Sequence, residues 1–328
     1  MKFGPVALDA AIGGILAHRE AGLKKGTVLT AADVETLKAA GLTSVVVAHL
    51  EPTDVGEDAA AMQLAEALIT GAEGVRLNAA SAGRVNVIAD APGLAAISAG
   101  MIQAANRIDP MITIATVPEL YRMDAGGLIA TIKVISYGVA KARVEETCRV
   151  AQAAIGLHLP RPQTVALIET FHDRADGLSD KGERALRERL SRLGLDLGAV
   201  AKTKHGVDDL SRALAAETAD VICLLTASAT SDIADVGPMA VAQAGGSVAH
   251  FGMPVDPGNL LFLGWLGERP VIGLPGCARS PALNGADWVL ERLLCGVSVT
   301  PDDIMGMGVG GLLKEIPSRP RPRRQGSE

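Results

Sequence analysis

The chain has 328 residues, 48% hydrophobic and 21% charged, enough to bury a full core and to divide into about two domains of roughly 150 residues each. Aromatic residues make up only 2%, so packing rests on Leu, Val, Ile and Ala, and a surface that stacks nucleic-acid bases on Phe, Tyr or Trp is not expected. A formal net charge of -6 and a pI of about 5.6 argue against a protein that coats polyanions but leave room for a local anion site for one small ligand.

No apolar run approaches the roughly 18 residues of a bilayer span, and Asp9 and His18 interrupt any N-terminal signal-like segment. The reading is a cytoplasmic protein with neither membrane nor nucleic-acid partners. Cys148, Cys223, Cys277 and Cys295 are scattered without a CxxC pair, which points to neither a zinc site nor a disulfide framework. The first two and Cys295 sit in apolar patterns as buried fillers.

In chain order, Thr30 and Asp33 open a helix with Val34 and Leu37 facing inward, and Gly41 closes it before a strand over Ser44 to His49. Strands follow at Val85 to Ala89, Ile112 to Val117 and Leu128 to Ser136, with helices near Asp58 to Ile69, Leu94 to Asn106 and Lys141 to Ala154. Leu157 to Pro162 breaks any helix and marks a domain boundary.

Beyond it, strands at Thr164 to Glu169, Leu195 to Thr203, Asp220 to Thr226, Ser247 to Phe251 and Pro270 to Leu274 alternate with helices. The helices are Lys181 to Leu193, Asp209 to about Glu217, Val236 to Gln243 and Ala282 to Leu294. This repetition predicts a parallel, doubly wound sheet, in which ligands bind beyond the carboxyl ends of the strands. The final stretch, Pro317 to Glu328, alternates Pro and Arg as an extended, solvated tail.

Three polar, small-residue loops lie at those strand ends: 170–182, 226–232 and 274–281. Each precedes a helix, so unpaired backbone N–H groups and positive dipole ends face one crevice, which is the requirement of a phosphate site. Asp180, Asp208 and Asp235 lie beside it, as a magnesium ion bridging phosphates needs. Asp180 and Asp208 each also fit as simple helix caps. Arg279 is the phosphate partner suggested by charge and position. His172, His205 and His250 lack metal-ligand spacing. Asp54 to Asp58 reads either as a cation loop or as a solvated turn. Arg84 and Asn86, in a Gly-Arg-x-Asn turn, offer a fork donor and an amide to a ligand.

These loops resemble the molybdopterin-binding domain of molybdenum-cofactor biosynthesis, shared by molybdopterin adenylyltransferase and the molybdenum insertase. The match spans about Val165 to Leu294. It rests on Asp173-Arg174-Ala175 with Asp180-Lys181-Gly182, on Val207-Asp208-Asp209, on Asp235-Val236-Gly237-Pro238 and on Leu274-Pro275-Gly276. The family's glycine loop is here Ala227-Ser228-Ala229-Thr230, whose Cβ atoms limit positive φ and close backbone approach.

A broader resemblance, over nearly the whole chain, is to the molybdopterin-binding half of proteins joined to a molybdenum-cofactor cytidylyltransferase. Its marks are Leu23 to Thr27, Asp54 to Asp58, Gly83 to Asn86, Gly252 to Asn259 and Gly306 to Leu313. The chain stops just after Pro317 to Pro320, leaving no room for the cytidylyltransferase itself.

The resemblance implies an α/β fold: a doubly wound, Rossmann-like domain preceded by a smaller α/β domain that covers the crevice or mediates association. The expected divisions are 1–156, 163–296, an extension over 297–316 and a tail over 317–328. The ligand implied is molybdopterin or the molybdenum cofactor, with Mg and ATP or CTP for nucleotidyl transfer or metal insertion. Asp208 and Asp235 would carry catalysis and hold the metal. Pterin and phosphate would be held by Asp173, Ser179, Asp180, Thr226, Ala227, Ser228, Ala229, Thr230, Pro254, Asp256, Gly258, Asn259, Pro275, Gly276, Arg279 and Ser280, with Arg84 and Asn86. The alternative is a noncatalytic carrier that presents the cofactor to a separate cytidylyltransferase partner. Assembly into a homo-oligomer is also implied.

Overall fold

The computed structural model of the chain describes residues 1–172 and 180–313. Asp173 and Ser179, and the tail from 317 onward, therefore lie outside the described residues. The chain is α/β throughout and divides into two compact units: Met1–Ala91 with Ala95–Leu157, and Pro92–Leu94 with the residues from His158 on.

The first unit contains β1 (Lys2–Ala7), β2 (Ile15–Leu16), α1 (Ala31–Ala39), β3 (Ser44–His49), β4 (Asp54–Gly56), α2 (Glu57–Leu68), β5 (Val75–Leu77) and β6 (Arg84–Ala89). It continues through β7 (Gly93–Ile97), whose first two residues are counted with the second unit, α3 (Ala99–Ala105), β8 (Ile112–Thr116), β9 (Arg122–Met123), β10 (Leu128–Val134), β11 (Gly138–Ala140), α4 (Lys141–Ala151) and β12 (Ile155–His158), which ends at the boundary. The strands form small sheets, ordered β1-β3-β2, β5-β6-β10-β8, β11-β4 and β12-β7-β9. Thr30 and Asp33 make a reciprocal capping box that starts α1, and Gly41 leaves it at φ +82. Ala60, Ala61, Leu64, Ala65 and Leu68 of α2 form one core with Val85, Val87, Ile129 and Ile132.

Two sequence expectations fail here for the same reason. The helix expected over Leu94 to Asn106 is a strand, β7, followed by the short α3. Leu94, Ala95 and Ile97 are buried, and a short apolar run buried in a sheet carries no period that separates it from a buried helix. Likewise α4 ends at Ala151, Ala153 turns at φ +59, and β12 begins at Ile155.

The second unit is built around one six-stranded sheet. Its elements are β13 (Val165–Phe171), α5 (Lys181–Ser191), β14 (Leu197–Lys204), α6 (Val207–Ala216), β15 (Val221–Leu225), α7 (Val236–Gln243), β16 (Ser247–Phe251), β17 (Phe262–Leu266), β18 (Arg269–Gly273), α8 (Gly285–Leu294) and α9 (Pro301–Met305). The order is β14-β13-β15-β18-β17-β16.

The pairs β13–β14, β13–β15 and β15–β18 are parallel, whereas β17 is antiparallel to both β16 and β18. The expected all-parallel sheet is thus corrected to a mixed one, because Gly267 at φ +61 closes a tight β17–β18 hairpin where a crossover helix would be needed. Ile168, Ile222, Leu224 and Phe262 pack under Leu210, Leu214, Ala240 and Val241 of α6 and α7. α8 starts at Gly285 rather than Ala282, since Asn284 and Asp287 form a capping box there.

β13, β14, β15 and β18 run in one direction, and β16, antiparallel to β17, shares it. The carboxyl ends of all five therefore lie along a single edge of the sheet.

Candidate functional site

The segments that leave β13, β15, β16 and β18 along this edge carry most of the residues singled out in the sequence. At the end of β13, Glu169 is only 5% exposed. A buried carboxylate needs a charged partner, and Arg279 supplies it, with Nη1 at 3.1 Å from Glu169 Oε1. Arg279 Nη2 also donates to Thr226 O at 3.2 Å. One guanidinium so joins the loop after β18 to the end of β13 and to the loop after β15. Lys202 Nζ stands 3.9 Å from Glu169 and 3.7 Å from Asp180.

Asp180 occupies the N-cap position of α5 without capping it. The first turn of α5 approaches Glu169 closely because residue 182 is glycine: a Cβ there would overlap Glu169 Oε1 and Leu225 Cδ1. Lys181, Arg184, Glu188, Arg279 and Pro281 line a groove of about 350 Å³ beside this helix start, predominantly cationic and suited to an anion.

The loop after β15 is held from below. Ala227 N–H donates to Thr170 Oγ1 at 2.8 Å, Thr226 Oγ1 donates to Ser228 O at 2.7 Å, and Thr226 and Thr230 hydroxyls lie 3.3 Å apart. No residue from 227 to 230 has a positive φ, so the alanine-containing version of this loop is unstrained. Ser228 and Ala229 are exposed, while Thr230 is buried.

The two aspartates assigned to catalysis by resemblance are engaged in the fold. Asp235 caps α7: its Oδ1 accepts from Val236 N–H at 2.7 Å and its Oδ2 from Ser231 N–H at 3.0 Å. Asp208, in the first turn of α6, accepts from Gln243 Nε2 at 2.8 Å. Among the described residues no group of three or more His, Cys, Asp or Glu side chains could hold a metal ion.

The remaining candidates separate into two groups. Pro275 and Gly276 open the turn that carries Arg279, and Ser280 follows it. Pro254, Asp256, Gly258 and Asn259 lie in the segment after β16, on the same edge, but their backbone is used in packing. Pro257 O accepts from Gly285 N–H at 2.8 Å, Asp256 N–H donates to Gly311 O at 2.8 Å, and Asn259 Nδ2 donates to Met253 O at 3.3 Å. Gly258, at φ +147, has no room for a Cβ against Gly285.

Arg84 and Asn86 belong to the first unit, on β6. Asn86 accepts from Thr131 Oγ1 at 2.9 Å, and the preceding Gly83 N–H donates to Asp58 at 2.6 Å. Asp58 and Asp54 are thereby tied into the fold, Asp54 accepting from Glu51 N–H at 2.7 Å.

Sequence reasoning missed three participants. Arg189 is 7% exposed, pairs with Asp287, and donates to Ala278 O at 2.9 Å, Ser280 O at 2.8 Å and Ala282 O at 3.3 Å. By taking up these carbonyls it fixes the loop that carries Arg279; an arginine inside an amphipathic helix pattern gives no such signal. His172 and His205 are the others. His172 Nε2 is 2.7 Å from Ser228 Oγ, His205 Nδ1 is 2.9 Å from Thr170 Oγ1, and the two rings meet edge to face at 4.6 Å. Their placement at the ends of consecutive parallel strands was the available clue.

No protein-family model matches the chain, and no curated protein matches it. Among solved structures it is similar to the molybdopterin biosynthesis MoeA protein from Pyrococcus horikosii, at 13% identity, with 90% of this chain and 75% of that chain covered and a TM-score of 0.31. A likeness that weak decides nothing about fold or chemistry. No helix among the described residues is long and apolar enough to cross a membrane.

Proposed function

We propose that the second unit binds a phosphorylated pterin, molybdopterin or its molybdenum form, and serves molybdenum-cofactor biosynthesis. The observation that carries this reading is the meeting, on one sheet edge, of the end of β13 with the loops after β15 and β18, joined by Arg279 to Glu169 and Thr226. Among the described residues, the sequence motifs that resemble the molybdopterin-binding domain fall on the loop after β18 and at the starts of α5, α6 and α7. Exposed Ile233, Leu260 and Leu283, each in a connection on the same edge, offer apolar surface to a flat ring.

A second reading within this function has its own support. Both oxygens of Asp235 are occupied, one by the Val236 N–H at the start of α7 and the other by the Ser231 N–H of the preceding loop, and the glycine loop is replaced by Ala227 to Thr230. These features favour a carrier that presents the cofactor to a cytidylyltransferase over an enzyme that transfers a nucleotide or inserts metal. Titration of the full chain with molybdopterin, with and without magnesium and ATP or CTP, tests both. Saturable binding without turnover supports the carrier; turnover abolished by Asp208→Asn and Asp235→Asn supports the enzyme; absence of binding refutes the function.

A further inference from the structure

Within the proposed pterin site, the pair His172–His205 has no part in the resemblance and no structural necessity: His172 is exposed and joins a loop already held by Thr170 and Arg279. Thr170 and His172 project from one face of β13, and Glu169, with Arg279 and Lys202, belongs to the other. Asp235, the N-cap of α7, acts electrostatically on His205; Asp208 and Asp209 follow it in the first turn of α6, and Lys204 precedes it.

We propose that this imidazole pair takes up one proton when the dianionic phosphate group of a ligand settles on the 226–230 loop, making recognition of the phosphorylated form proton-coupled. In the neutral state Thr170 Oγ1, already accepting from Ala227 N–H, donates its hydrogen to His205 Nδ1, and the Ser228 hydroxyl donates to His172 Nε2.

When a proton from solvent enters the pair at His172, Nε2 becomes a donor, and Ser228 Oγ must accept. The Ser228 hydrogen is then released toward the crevice. A single protonation thus adds a positive charge and turns Ser228 into a donor aimed at the anion. Two imidazoles 4.6 Å apart resist holding two charges, which limits the uptake to one proton. Burial and the neighbouring His172 hold the His205 pKa below the ordinary histidine value, so His205 starts uncharged near neutral pH.

This inference rests on the reading of the edge as a phosphate site, and sulfate separates the two, because sulfate stays dianionic throughout the working range. Sulfate affinity should fall as pH rises from 7 to 8, by up to about tenfold, the limit for one proton per ion bound. His172→Gln should remove that dependence, whereas Ser228→Ala, which keeps both rings, should preserve it. A pterin phosphate should show the same fall and its dephosphorylated form none.

Should His172→Gln fail to fold, the wild-type imidazole resonances give the same answer: saturating sulfate should raise the apparent pKa of the pair by about one unit or more. Sulfate binding that is absent at pH 6, or pH-independent, or still pH-dependent in His172→Gln, overturns the proposal. Pterin binding alongside any of those results would leave the function standing, and proton-coupled sulfate binding without pterin binding would do the reverse.

Discussion

Replacing Arg189 by Met should destabilise the second unit more than any surface change. The guanidinium is buried between α5 and α8, paired with Asp287, which is 2% exposed, and it donates to four carbonyls: Ala185, Ala278, Ser280 and Ala282. Methionine fills much of the volume but leaves the Asp287 carboxylate buried without its cation. Breaking one side of a buried pair costs about 3–5 kcal/mol, which for a unit of this size lowers the melting temperature by on the order of 10 °C.

Asp287 also accepts from Asn284 N–H at 2.8 Å. Adding Asp287→Asn removes the stranded charge while keeping a cap oxygen, and should recover on the order of 1–2 kcal/mol. Urea unfolding of the single and double variants measures both. Because Arg189 orders the loop that carries Arg279, the single variant should also bind pterin more weakly under conditions where it remains folded. A loss below about 1 kcal/mol, the range of an average substitution, would refute the view that this arginine organises the 278–282 loop.

Arg279→Ala should weaken pterin binding by about 1.5–3 kcal/mol, read by calorimetry, since a charge-assisted donor to the 226–230 loop is lost and the buried Glu169 carboxylate loses this cation. Gly182→Ala should cost about 1–3 kcal/mol in urea unfolding, because its Cβ would overlap Glu169 and Leu225. Asp220 receives the Thr164 backbone N–H and hydroxyl, which hold its carboxyl below the ordinary range. Its contribution is present above about pH 4 and is lost as pH falls through the depressed value; Asp220→Asn should flatten the acid limb of a stability–pH curve. A maleimide should label exposed Cys277 first and reach Cys223 and Cys295 only on unfolding, as burial pushes both thiols up to about 12.

The alternating strands and helices of the second unit were legible because each helix has its own punctuation: Gly194 at φ +71 after α5, Asp235 before α7. Strands β7, β12 and β17 were not, since their side chains are mostly apolar on both faces and carry no two-residue period. The three edge loops could be located from composition, but their internal wiring could not. Glu169 reads as an ordinary strand residue until Arg279 is seen across from it, and Arg189 as an ordinary helix cation until Asp287 is. The antiparallel β16–β17–β18 ladder likewise depends on a turn too short for a helix, a feature that alternation alone does not disclose.

The central claim is that a pterin phosphate binds at the carboxyl edge of the second unit. Backbone amide shifts recorded on the full chain during titration with molybdopterin test it most directly. The account predicts saturable shifts concentrated in 226–232 and 275–281 and at His172 and His205. Shifts confined to the first unit around Arg84 and Asn86, or no shifts at saturating ligand, would contradict it.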